Sequence, residues 1–166
     1  EMEARSEQEV DVSWEPVAPA LRRLTKQQYQ NTLEDTFGED LVVPTAIEPD
    51  AKLDGLYAVG ASVTGLSLVG TEKYFSAASA VAKQIVNNPT LRNQHIPCAA
   101  EAEEQQADTA CLEETARTLG KALWRRNLED SEITQLTAQA TQAQETIDGK
   151  LAGLEIMMMA LSLIHI

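Results

Sequence analysis

Aromatic residues are scarce in this chain of 166 residues: tyrosine, phenylalanine and tryptophan together contribute 4%. A core built on stacked rings is therefore excluded. Burial must rest on Leu, Val, Ile, Ala and Met, within an apolar content of 43%. Basic residues are also few, 13 against 26 acidic ones, for a net charge of −13. Such a surface lacks the cations that displace counterions from nucleic acid or meet anionic lipid headgroups, so neither partner is expected. The acidic excess serves solubility. No run reaches the roughly 18 apolar residues that a membrane helix needs. The nearest, LAGLEIMMMALSLIHI, is shorter and carries Glu155. Covalent haem attachment requires C-x-x-C-H, and neither of the two cysteines has that neighbourhood. Also lacking are G-x-S-x-G, H-E-x-x-H, a glycine-rich phosphate loop and any convincing period-two strand pattern.

What is present begins with an acidic, proline-bearing stretch, EMEARSEQEVDVSWEPVAPA, which reads as a disordered linker over 1–20. It has no signal-peptide character. Met2 follows a glutamate, so the chain is expected to be a piece of a longer protein. Residues 22–38, RRLTKQQYQNTLEDTFG, then specify a helix over about 25–37 with both ends written in. Thr25 and Gln28 form a capping box, Leu24 and Tyr29 a hydrophobic staple. Tyr29, Leu33 and Phe37 share one face, and Gly38 supplies a left-handed stop.

The remainder reads as helices separated by two long connections. Residues 39–68 are expected to be irregular. A second helix spans about 71–86, capped by Thr71, with Tyr74, Phe75, Ala78, Val81, Ala82, Ile85 and Val86 on a broad apolar face. Asn87, Asn88 and Pro89 end it. A second connection covers about 88–108. A third helix spans about 109–123, capped by Asp108 and burying Leu112, Leu119 and Leu123, with Gly120 marking close packing against another helix. Leu128 and Ile133 staple a fourth over about 130–143. A fifth, about 147–161, is apolar almost all round, with Leu151, Leu154, Met158 and Leu161 on one face, and should be central. The expected fold is all-α: about five helices in a small bundle with two long irregular connections. The domain reading is a first helical module at 21–90, a connection at 91–108 and a second module at 109–166 that stops short of its full length.

Cys98 and Cys111 are 13 positions apart. Closing a loop of about 14 residues is worth roughly 3 kcal/mol in the chain-entropy model. An even count in a chain that reads as exported favours a disulfide. The alternatives are two free or buried thiols, or a metal set with His95. Structural zinc needs four ligands, and the only other histidine, His165, lies in the terminal LIHI; no metal is assigned.

Catalysis needs convergent groups with tuned acidities. Glu34–Asp35, Glu39–Asp40 and Glu103–Glu104 are adjacent pairs whose members point about 100° apart on a helix, so they read as solvated surface. Met157, Met158 and Met159 read as core filler, since consecutive methionines cannot face one ion. Arg125 and Arg126 follow Trp124 at a helix C-terminus, where they complement the dipole and can stack on the indole. Arg22 and Arg23 have no such local reason and are expected to pair with acids such as Glu34 or Asp35. With Asn31, these four arginines are the candidate ligand-binding residues; no catalytic residue is assigned.

RRLTKQQYQNTLEDTFG resembles the opening of helical domains of unknown function in large exported planctomycete and myxobacterial proteins, which often share a polypeptide with c-type cytochrome domains. Arg22, Arg23, Leu24, Thr25, Tyr29, Asn31, Thr32, Leu33, Asp35, Phe37 and Gly38 carry the resemblance, with Gln28 in place of a glutamate. LGKALWRRNLEDSEITQL resembles the next module of the same proteins through Gly120, Ala122, Trp124, Arg125, Arg126, Leu128, Glu132 and Ile133. There Asn127 replaces a proline and Glu129 a capping threonine, which should loosen the start of the fourth helix. GLYA at Gly55 replaces the family's G-F-D-N, so any site held by that loop in relatives is altered here. The family continues past Ser162 with proline and an aromatic, whereas LIHI resembles adapter read-through.

The resemblance implies a non-catalytic structural or interaction module of an exported multidomain protein, periplasmic, cell-surface or secreted. It would hold no cofactor of its own, with haem on other domains, and those domains would be its partners. The alternative is part of an exported oxidoreductase or hydrolase in which Arg22, Arg23, Asn31 and the 45–66 loop contribute to a cleft.

Overall fold

A computed structural model describes residues 23–63, 65–100 and 106–163. The linker at 1–20, Arg22, Glu103–Glu104 and His165 lie outside these residues. Among the described residues the chain is all-α, as expected, but with seven α-helices and a 3-10 turn rather than five helices. They are α1 (Lys26–Phe37), α2 (Tyr57–Val63), α3 (Leu68–Asn87), α4 (Pro89–His95), a 3-10 turn (Pro97–Ala99), α5 (Thr109–Trp124), α6 (Asp130–Thr146) and α7 (Ala152–Leu163).

The first helix forms as its sequence specifies. Thr25 Oγ1 accepts from the Gln28 N–H at 3.2 Å, and the Gln28 side chain accepts from the Thr25 N–H at 2.9 Å. Tyr29, Leu33 and Phe37 are buried. Gly38 ends the helix at φ +80°, with ψ −176° rather than the left-handed helical value, so the chain leaves α1 extended. The two helices absent from the expectation lie in the connections. In the first, Asp54 and Gly55 both take positive φ and turn Leu53 back onto Leu56, the geometry of a tight two-residue hairpin. Gly60 of α2 then sits directly on the Ala51 carbonyl, where any β-carbon would collide with backbone. In the second, the Asn88 side chain caps α4 through Thr90 and Leu91, and Pro89 fills its first position. Both helices have seven residues, too few for periodicity to reveal them.

Two helix starts shift. The second expected helix begins at Leu68, capped by Ser67 rather than Thr71: Ser67 accepts from the Gly70 N–H at 2.9 Å. Its first turn leaves Leu68 and Val69 exposed, and Phe75, expected inside, is 51% exposed. The last helix begins at Ala152 rather than 147, because Gly149 turns the chain at φ +124°. Close packing at Gly120 is present, but its neighbour is the Leu128 side chain at the approach to α6 rather than another helix. The α6 start is not loosened. Glu132 accepts from the Glu129 N–H at 2.8 Å, Leu128 packs against the core, and Ile133 is buried.

α7 is central, with Leu154, Met157, Met158 and Leu161 fully enclosed. It packs on α3, α5 and α6, and Gly153 brings it against the Ala140 carbonyl of α6. One hydrophobic cluster runs from Tyr29 through Tyr74, Ile85 and Leu112 to Leu161, so both sequence modules share a core. Cys98 and Cys111 form a disulfide with their Cα atoms 5.5 Å apart, joining the 3-10 turn to the start of α5. No described helix is long and apolar enough to cross a membrane.

His95, at the end of α4, meets Phe37 edge-on with ring centroids 5.1 Å apart. Its Nε2 is buried without a hydrogen-bond partner, and burial holds its pKa below the ordinary histidine value against the opposing hydrogen bond to the Phe37 backbone. The unfolded chain takes up a proton at this residue near pH 6.5, whereas the folded ring resists until lower pH. Stability therefore falls as pH drops through that range. The urea midpoint of the native chain should fall between pH 7.5 and 5.5, and that of His95→Gln should fall less. Equal falls would assign the pH dependence to other groups.

Candidate functional site

The connection from Gly38 to Leu56 has no helix, yet it is hydrogen-bonded along its length to α1 and α3. The Gln84 side chain of α3 pairs with both backbone groups of Val42, accepting at 3.0 Å and donating at 2.9 Å. Lys26 Nζ donates to the Thr45 carbonyl at 2.7 Å, and Leu41 and Ile47 are buried in the core. Two carboxylates then fasten the connection to two helix N-termini. Asp50 Oδ2 accepts from the Lys26 N–H, the first of α1, at 2.8 Å. Glu48 accepts from Ser67 N–H at 3.3 Å and lies against Gly70 in the first turn of α3, so close that a β-carbon there would displace it. Exposed N–H groups at helix starts carry partial positive charge, which makes both placements favourable. Hydrogen bonding by Ser67, assisted by Arg23 and Lys73, holds the Glu48 pKa below the usual carboxylate value.

Arg23 completes this arrangement. Its Nη2 lies 3.2 Å from Asp50 Oδ1, with side-chain exposures of only 8% and 9%. Nη1 donates to the Tyr74 hydroxyl at 3.4 Å, and the Tyr74 ring meets Tyr29 edge-on at 5.3 Å. Burial raises the pKa of both tyrosines, with their mutual repulsion adding at Tyr29. Neither phenol ionises near neutral pH, so neither can serve as a base there. Arg23 Nε and the Tyr29 hydroxyl are buried without hydrogen-bond partners. The chemistry available is that of a fixed polar clamp: a buried cation, a carboxylate and two neutral phenols holding α1, the connection and α3 in register.

The partner of Arg23 is thus Asp50, and not Glu34 or Asp35, both of which face solvent. Proximity in sequence favoured the acids of α1, but those point away from the core. Glu48, Asp50, Tyr74 and Gln84 were not singled out as site residues. The E-P-D run was the available signal, because an acid pair in a proline-bearing connection can reach helix N-termini. Asn31 is exposed and accepts from Gln27 Nε2 at 2.7 Å, on the outer face of α1. It is not brought to Arg23.

Arg125 and Arg126 occupy a separate place at the end of α5. Arg125 adopts the left-handed conformation (φ 54°) and its Nη2 donates to Thr32 Oγ1 of α1 at 3.1 Å. Arg126 grips Glu132 through two hydrogen bonds of 2.6 and 2.8 Å, while its guanidinium lies 5.2 Å from the Trp124 ring centroid. This bidentate pairing, with the Glu129 N–H, holds the Glu132 pKa down to about 2. Trp124 Nε1 donates to the Leu161 carbonyl at 3.2 Å, so the W-R-R run binds α1, α6 and α7 together. Among the described residues no group of three or more His, Cys, Asp or Glu is arranged to hold a metal ion.

Removing one member of a buried ion pair leaves an uncompensated charge, at a cost of about 3–5 kcal/mol. Asp50→Ala should lower the unfolding free energy by that amount in urea titration, and Arg23→Met combined with Asp50→Leu should recover much of it. A loss in Asp50→Ala below about 1 kcal/mol, the range of exposed pairs, would show that the clamp does not hold the connection.

No curated protein and no solved structure matches the chain. Residues 22–87 match the family described as PSD3, a protein of unknown function (DUF1587). That span takes in Arg23, Asp50, Tyr74 and Gln84, and leaves the disulfide and the Trp124–Arg126 run outside it. The polar clamp therefore lies within a helical domain of unknown function.

Proposed function

We propose that this chain is a non-catalytic helical interaction module of an exported multidomain protein, built from a first module at 21–90 and a second at 109–166. It docks against other domains of its own polypeptide. Haem, on this reading, is carried by c-type cytochrome domains of the planctomycete and myxobacterial type elsewhere on that polypeptide. The disulfide supports a location outside the cytosol, because such bonds persist in oxidising compartments.

The observation that carries the reading is the outer face of α3. Leu68 is 92% exposed, Val69 59% and Phe75 51%. Beside them runs an open groove of about 460 Å³ lined by Pro44 and Ala46 of the connection and by Val69, Glu72, Lys73, Ser76 and Ala77 of α3. One wall belongs to the connection that Glu48, Asp50 and Gln84 hold in place. Exposed large apolar side chains beside a groove favour an interaction site. The acidic excess of the chain favours a docking domain whose apolar patch has a basic rim. The cleft alternative gains nothing from Arg23, which is engaged by Asp50 and Tyr74.

Hydrogen exchange should therefore slow over residues 68–76 when this chain is part of the complete polypeptide, compared with the chain alone. Leu68→Glu with Phe75→Glu should remove that protection without lowering the melting temperature of the chain alone. Identical exchange in the two contexts would overturn the docking role.

A further inference from the structure

The groove between the connection and α3 lies where the chain enters α1. Lys26, the first residue of α1, donates from Nζ to the carbonyl of Thr45, which stands between the groove residues Pro44 and Ala46. Arg23 reaches the other wall: its Nη1 donates to the hydroxyl of Tyr74, the neighbour of Lys73 on α3. Residues 1–22, which lie outside the described residues, therefore join the fold beside the groove. Their charge is uneven. Residues 1–15 carry six acids and one arginine, whereas residues 16–21, PVAPAL, carry no charge and follow directly on towards α1.

We propose that residues 16–21 occupy this groove as an intramolecular cap, which a docking domain must displace. Such a cap regulates the docking surface on α3 and rests on that reading for its role. The dimensions agree. Val69 and Ala77 are eight residues apart, about 12 Å of helix at a rise of 1.5 Å per residue. Pro16 and Pro19 bias the run and the residues before them towards the polyproline II form, which advances about 3.1 Å per residue. About four residues of it match the groove, and Leu21 and Arg22 supply the step back to Arg23. The charges agree as well. Glu72 and Lys73 cancel within the lining, so an uncharged run enters without leaving a carboxylate buried and unpaired. The fixed φ of proline lowers the ordering cost, and a short tether holds the run at an effective concentration on the order of millimolar. A second copy of the chain is a poorer occupant, because each copy carries a net charge of −13.

In the isotope-labelled whole chain, nuclear Overhauser contacts should join Val17 and Pro19 to the methyl groups of Ala46 and Val69, and should persist on dilution. Val17→Asp with Ala20→Asp should remove them. A synthetic peptide of residues 12–21 should then bind that variant on the order of tenfold more tightly than the native chain, whose own segment competes for the groove. Tighter binding to the variant also shows that its groove is intact. Absent contacts, contacts of residues 16–21 with another surface, contacts that fade on dilution and so belong to a second copy, or equal peptide affinity for the two chains would each overturn the cap. All of these are read in the chain alone. Loss of the cap there leaves slowed exchange over residues 68–76 in the complete polypeptide as an independent test of docking.

Discussion

Burial of α7 is the constraint from which the other packing follows. A twelve-residue helix that is apolar on nearly every side cannot leave a face to water, so it must be surrounded. α3, α5 and α6 supply the enclosure, and Gly153 sets how closely α6 approaches. α1 reaches the same core through Tyr29, Leu33 and Phe37 despite being remote in sequence. The shortage of aromatic rings is met by concentration: two of the three tyrosines touch one another at the α1–α3 contact.

Around this apolar centre the irregular parts are held by charge and hydrogen bonding instead. The 39–56 connection has only Leu41 and Ile47 fully buried, too little to anchor it by hydrophobic contact alone. Its carboxylates serve where apolar side chains are lacking, each using a helix N-terminus as its receptor. The price of burying Arg23 and Asp50 is a demanding geometry. That geometry is met because Asp50 also receives the Lys26 N–H and Arg23 also reaches Tyr74. The connection is thereby held beside the exposed Leu68, Val69 and Phe75 of α3.

Legibility in the sequence varied with the range of the interaction. The α1 capping box, the Asp108 cap and the central place of α7 are all local or compositional, and they were readable. α2 and α4 were not, because a seven-residue helix is stabilised by where it docks rather than by its own periodicity. Phe75 was misplaced for a related reason: position on a helical face indicates burial only if a neighbour covers that face. The Trp124–Arg125–Arg126 run was legible as a helix end with a stacked cation. Its links to Thr32 and Leu161 were not.

The amino-acid sequence by itself determined the all-α character of the described residues, the limits of α1 and α5 and an acidic surface. Each depends on residues within a few turns of one another or on composition alone. Tertiary structure alone decided that Asp50 rather than Glu34 or Asp35 meets Arg23, that Glu48 rests on the start of α3, and that Leu68 and Phe75 stay outside. Those outcomes depend on which surfaces face each other after packing. Pairing energies between charges fall with distance and rise with burial, and neither quantity exists until the helices have been brought together.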